Sequence, residues 1–240
     1  MLRCLLILSA LAWGPAVRAA QPVPVPVAAA ADLRLVLPPL VAAIERQTGA
    51  RYQLSFGSSG QMVQQALNGG PFQLLLLADA ALAQRLPGGQ RRAYALGRLA
   101  LVVPQASAIR DLAGLRAAIA AGQVRHLAIA NPAHAPYGAA ARAVLAASGI
   151  NGAPLVLGDN VAQALGFVTS GAADAGIVAL PLARAAGAVR VVPISPALHP
   201  PLVQTLVIMP GASPAARALA AAITGPRGQA ALAAAGFGRP

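Results

Sequence analysis

The sequence predicts an α/β protein with mixed, mostly parallel sheets, folded as two lobes. Short β-branched or leucine-rich runs alternate with segments of helical spacing along the chain, the pattern of strand–helix–strand units. Apolar residues make up 57% of 240 residues, enough for substantial cores in one large or two modest domains. Two extended runs, Leu99 to Val103 and Leu202 to Ile208, bracket a central block, as in a chain that leaves one lobe, builds a second and returns. On this reading residues 20–98 and 206–240 form lobe I, residues 99–205 form lobe II, and two hinge crossings join them. Ligands of such folds sit in the cleft between lobes.

The N-terminus reads as a secretory signal peptide. Met1-Leu2-Arg3 is a short basic start, Cys4 to Trp13 is apolar, and Val17-Arg18-Ala19 is a small-residue cleavage pattern, placing the cut after Ala19. A retained membrane anchor needs about 20 unbroken apolar residues, and Gly14-Pro15 and Arg18 interrupt this run. Cys4, the only cysteine, leaves with the signal, so the mature chain has neither a disulfide nor a thiolate metal site. Export without cysteines fits a bacterial periplasm.

Val23 to Val27 alternates with proline and reads as a strand near a sheet edge, because proline cannot donate to the ladder. Asp32 is placed to cap the helix that follows, with Leu33, Val36, Leu37, Leu40, Val41 and Ile44 on its buried face and Thr48-Gly49 at its end. Pro38-Pro39 requires that helix to kink or to begin at Pro38. Arg51 to Phe56 is a strand. Ser58-Ser59-Gly60 then opens a helix with Met62, Val63, Ala66 and Leu67 on one face and Asn68-Gly69-Gly70 as its stop. Phe72 to Leu77 is a buried strand, Ala80 to Leu86 a short helix, and Tyr94 to Val103 an extended run. A helix over Asp111 to Ala121 and a strand over Arg125 to Ala130 lead to the loop Asn131 to Gly138 and a helix over Ala139 to Ser148. Next come strand Leu155 to Leu157, helix Val161 to Ser170, and the strands Ile177 to Leu180 and Val189 to Val192. After the extended run to Met209, helices over Pro214 to Thr224 and Pro226 to Ala235 finish the chain.

The formal charge is +12, carried wholly by arginine, and removal of Arg3 and Arg18 leaves +10. Such a balance invites a nucleic-acid or anionic-membrane partner. The arginines are scattered, only Arg91-Arg92 are adjacent, and aromatics are 3%, so stacking on bases is unsupported and no nucleic-acid partner is expected. Asp79, Asp111, Asp159 and Asp174 lack metal-ligand spacing and read as caps and turn formers. A secreted hydrolase would need Ser58 or Ser59 as nucleophile. The Gly-x-Ser-x-Gly turn fails at Gln61, and His134 is the only histidine placed to serve as base, so no enzyme activity is expected.

These segments together resemble the periplasmic molybdate-binding proteins of bacterial ABC importers, within the two-lobed solute-binding superfamily. The motifs are Ala29-Ala30-Ala31-Asp32-Leu33, Phe56-Gly57-Ser58-Ser59-Gly60, Asn68-Gly69-Gly70-Pro71-Phe72 with Ala78-Asp79, Tyr94-Ala95-Leu96-Gly97-Arg98-Leu99, Asn131-Pro132 with Ala135-Pro136-Tyr137-Gly138, and Ser170 to Leu180. The resemblance implies a type II periplasmic-binding-protein fold and a monomeric receptor. It also implies a tetrahedral oxyanion ligand, molybdate or tungstate, with no cofactor and no cation ligands. A membrane permease and a cytoplasmic ATPase are the implied partners. Carried over residue by residue, the oxyanion contacts fall on Ala31, Asp32, Ser59, Tyr137 and Val161. Each lies at a turn where a helix start is placed or allowed, and helix starts offer free N–H groups and a positive dipole end.

The resemblance adds the Ser59 hydroxyl and, as a candidate, the Tyr137 hydroxyl, the latter replacing a family tyrosine whose position here is Ala179. Asp32 stands where the family often has serine, threonine or asparagine. It either caps its own helix, leaving only main-chain donors toward the ligand, or accepts a proton from a protonated oxyanion such as hydrogen phosphate, which would change the substrate; a phosphate- or sulfate-type oxyanion receptor is the alternative reading. Leu77, where the family commonly has serine, removes a polar group from the expected border of the cleft.

Overall fold

Helix starts in this chain are fixed by polar caps or by proline, and strands form where apolar residues run unbroken. A computed structural model describes residues 23–240. The expected signal peptide, residues 1–19, lies outside the described residues. The first lobe begins with β1 (Val25–Ala30), a 3-10 turn (Ala31–Leu33), α1 (Leu37–Thr48), β2 (Tyr52–Gly57), α2 (Ser59–Leu67), β3 (Leu74–Leu77), α3 (Ala80–Gln84) and β4 (Gln90–Gly97). The second holds β5 (Leu99–Pro104), α4 (Leu112–Ala120), β6 (Leu127–Ala130), α5 (Pro136–Ala147), β7 (Leu155–Gly158), α6 (Val161–Thr169), β8 (Ala175–Ala179), α7 (Leu180–Ala185) and β9 (Val189–Pro193). After a 3-10 turn at Pro196–Leu198, β10 (Leu202–Ile208), α8 (Pro214–Thr224) and α9 (Pro226–Ala235) complete the first lobe.

Each lobe is a five-stranded sheet, ordered β2-β1-β3-β10-β4 in the first and β7-β6-β8-β5-β9 in the second. The parallel character is confined to β1, β2 and β3 and to β6, β7 and β8, whereas every pairing of β10 and β5 is antiparallel. The chain passes from one sheet to the other at Arg98 and returns over residues 194–201. Residues 202–205, assigned to lobe II from the sequence, pair with β4 in the first sheet, so the boundary at 205/206 would cut β10 in two.

β3 reads Leu-Leu-Leu-Leu because both its faces are covered. Leu74 and Leu76 pack with Leu219 and Ile223 of α8, while Leu75 and Leu77 pack with Met62 and Val63 of α2. Leu77 is therefore core and not a border of the cleft.

β1 is flanked on both sides, not placed at an edge. Its proline is tolerated because Pro26 faces the β3 side one residue before that ladder begins, where its carbonyl accepts from Gln73 N–H at 3.0 Å. α1 starts at Leu37 with its prolines in the first turn, so no kink is needed. α5 starts at Pro136, three residues before the expected Ala139, for the same reason. The run read as one strand to Leu180 turns into α7 there, with Pro181 in its first turn.

Candidate oxyanion site

The C-terminal ends of β1, β2, β3, β6 and β7 face one another across the lobes, where an open parallel sheet presents its ligands. Ala30 and Ala31 come from the end of β1. Gly57, Ser58 and Ser59 come from the β2–α2 turn, and Ala78 from the end of β3. Ala135, Pro136 and Tyr137 open α5, and Asn160 and Val161 open α6. The cavity they enclose is about 10 Å³, room for about one water molecule, so it excludes bulky organic groups. Every lining side chain is neutral.

The local sequence explains why donors are left over. Ser58 caps α2, its Oγ accepting from Gln61 N–H at 3.5 Å. Asn160 caps α6, its Oδ1 accepting from Ala162 N–H at 3.0 Å and Gln163 N–H at 3.1 Å. In both helices the cap satisfies later amides and leaves the first one, on Ser59 or Val161, with no intrahelical carbonyl. In α5 the first residue is Pro136, which has no N–H, so Tyr137 supplies the first free amide. None of these three amides has a partner among the described residues. The Ser59 hydroxyl accepts from Ala78 N–H at 2.9 Å, which leaves its own proton to donate.

Ala31, Ser59, Tyr137 and Val161 thus border a single cavity. Asp32 does not line it and caps no helix. It lies inside the 3-10 turn, 1% exposed, and its Oδ2 accepts from Tyr137 Oη at 2.9 Å and Gln204 Nε2 at 2.7 Å. The expected capping role fails because the turn closes before α1 begins and because two donors, one from each lobe, claim the carboxylate. The Tyr137 hydroxyl is correspondingly spent on Asp32 and not offered to a ligand. Burial raises the Asp32 carboxyl to about 6, with the Tyr137 and Gln204 hydrogen bonds and the N–H groups of Asp32 and Leu33 pulling the other way. Tyr94 and Tyr137 are pushed well above the usual phenol value, first by burial and then by the Asp32 charge.

Sequence reasoning missed Gln204 and Tyr94. Gln204 is fully buried and its Oε1 accepts from Tyr94 Oη at 2.9 Å, which fixes its amide with Nε2 toward Asp32. A lone glutamine inside the apolar run Leu202 to Ile208 was the available signal. A second interlobe contact also went unread: His134 O accepts from Gly60 N–H at 2.9 Å, and His134 Nδ1 lies 2.8 Å from Ser58 Oγ. Ser58 Oγ also meets Gln61 Oε1 at 3.0 Å, so this hydroxyl serves the cap and the interlobe contact. Among the described residues the histidine has no carboxylate partner to orient it as a base.

Two α/β sheets joined by two crossings and closed over a cavity walled by helix starts define the class of two-lobed solute receptors. A family model described as bacterial extracellular solute-binding protein matches residues 25–238, and the chain belongs to that family. It is 35% identical over 236 residues to the molybdate-binding protein ModA of Azotobacter vinelandii, covering 92% of each chain. Over 143 residues, 55% of each chain, it is 34% identical to the molybdate-binding protein ModA of Rhodobacter capsulatus. The solved Azotobacter vinelandii periplasmic molybdate-binding protein matches the fold with a TM-score of 0.80 at 30% identity, over 90% of this chain and 99% of that one.

Proposed function

We propose that the protein is a periplasmic receptor that captures a tetrahedral oxyanion, molybdate or tungstate, and delivers it to the permease and ATPase of an ABC importer. The observation that carries this is the convergence of unpartnered helix-start amides from both lobes on one small cavity without a charged side chain. Main-chain donors at Ala31, Ser59, Tyr137 and Val161, with the Ser59 hydroxyl, hold the anion. Asp32 acts from behind them through Tyr137. The lobes close by hinging at Arg98 and over residues 194–201, and the receptor works as a monomer after cleavage following Ala19.

Magnitudes support neutral donors as sufficient. Hydrogen bonds to a charged group contribute roughly 1.5–3 kcal/mol each, and helix ends add about 0.3–1 kcal/mol. These five donors therefore supply on the order of 10 kcal/mol before the costs of association and closure, and micromolar affinity needs about 8 kcal/mol. Choice among anions then rests on the size of the donor ring: a ring sized for the longer metal–oxygen bonds of molybdate or tungstate would fit sulfate loosely.

A thermal-shift panel of molybdate, tungstate, sulfate and phosphate at fixed ionic strength tests the proposal, because a ligand that binds only the native state raises its stability. Stabilisation by molybdate and tungstate is expected. A shift with phosphate alone, or with none of the four, overturns the assignment. Ester turnover abolished by Ser58→Ala would favour a hydrolase, the reading that the Ser58–His134 contact keeps testable.

A further inference from the structure

We propose that Asp32 couples oxyanion capture to the uptake of one proton from solvent onto its carboxylate as the lobes close. The inference rests on the receptor reading above.

The geometry places a carboxylate directly behind two residues that line the cavity. Ala31, the neighbour of Asp32, lines the cavity, and so does Tyr137, which holds the Asp32 carboxylate. Oδ2 takes both hydrogen bonds, while Oδ1 is buried with no partner. No cation neutralises the group: the only ion pair among the described residues is Glu45–Arg51. On its own turn, Arg34 stacks over Phe56 at 5.4 Å. From α7, Arg184 lines a groove shared with Asp32 but makes no ion pair with it. β4 and α5 contribute Tyr94 and Tyr137, and β10 contributes Gln204. β2 brings Tyr52, whose hydroxyl donates to Ala215 O, and α6 carries no titratable residue.

When the lobes part, Tyr137 withdraws and water reaches the carboxylate, which then ionises as an ordinary aspartate. Closure removes that water, and the captured dianion adds a like charge nearby. Both effects favour the neutral acid. The balance is simple: one proton from solvent joins Oδ1, no other bond forms or breaks, and Oδ2 remains the acceptor for Tyr137 and Gln204. Burial, outweighing the hydrogen bonds from Tyr137 and Gln204, holds the closed carboxyl at about 6, and a neighbouring dianion moves it higher. Between the midpoints of the open and the liganded forms, affinity falls by up to tenfold per unit rise in pH.

The test is calorimetric titration with molybdate from pH 5.5 to 8 in buffers of different ionisation enthalpy, on the wild type and on Asp32→Asn. The wild type should take up a measurable fraction of a proton and bind more weakly as pH rises, and D32N should show neither effect. Buffer-independent heat in the wild type, as when the anion brings its own proton, or equal uptake in D32N, overturns the coupling. Should D32N fail to fold, the carbon-13 carboxyl titration of wild-type Asp32 decides: the midpoint must rise on saturation with molybdate, and an unmoved midpoint overturns the proposal. Absence of any binding heat with every oxyanion would strike the receptor reading itself, an outcome distinct from heat that ignores the buffer.

Discussion

Gly60→Ala is expected to weaken oxyanion binding while leaving the ligand-free protein intact. Gly60 is the second residue of α2, and a Cβ built on it would lie 2.5 Å from His134 O and 3.0 Å from His134 Cα, both main-chain atoms of the other lobe. Ordinary contact needs about 3.5 Å, so the lobes must stay roughly 1 Å further apart at this point. The Gly60 N–H to His134 O bond of 2.9 Å is then stretched or lost. Overpacking of this kind costs about 1–3 kcal/mol, and the hydrogen bond about 0.5–1.5 kcal/mol. Closure is thereby penalised by about 2–4 kcal/mol, which weakens binding roughly 30- to 1,000-fold. In the open form the clash is absent, and alanine is the better helix residue by up to about 1 kcal/mol. Titration calorimetry with molybdate reads the first effect and scanning calorimetry of the ligand-free protein the second. Wild-type affinity in G60A, or an equal loss of ligand-free stability, would refute the reasoning that Gly60 serves closure.

Ser59→Ala removes a proposed donor to the anion and the acceptor for Ala78 N–H. A loss of about 1.5–3 kcal/mol in binding, roughly 10- to 150-fold in Kd, is expected by calorimetry, together with a lower melting temperature from the orphaned amide. Tyr137→Phe takes away the interlobe donor to Asp32 and not a ligand contact, so molybdate and tungstate affinities should fall by the same factor, roughly tenfold; unequal factors would place the hydroxyl on the anion. Asp174 has its carboxyl lowered: slight burial raises it, but the N–H groups of His126 and Arg125 and the charge of Arg125 outweigh that. A group lowered on folding contributes stability above its unfolded value, about 3.9, and loses it as pH falls further. Urea midpoints should therefore drop on acidification below that value, and less so in Asp174→Asn.

The parts of this molecule that obey local rules were legible in the sequence. Polar residues before apolar helices, Ser58, Asp79 and Asp111, do cap α2, α3 and α4, and the turn that Ser58 opens is one of those that meet at the cavity. What escaped was set by distance along the chain. Nothing local links Asp32 to Gln204, 172 residues away, or to Tyr137, 105 residues away, so a residue shaped like a cap was read as one. The run from Ala175 to Ala185 is apolar throughout, and only Pro181 marks where strand gives way to helix.

The two connections between lobes differ in slack. Arg98 alone joins strands anchored in opposite sheets, whereas the return from β9 to β10 has residues 194–201 to distribute any rotation. In the proposed closure the short tether would therefore act as the axle and the long one as a follower. Extra residues would be absorbed by the follower, but the same insertion at the axle would let the two halves slide as well as turn, and the donor rims would no longer meet in register.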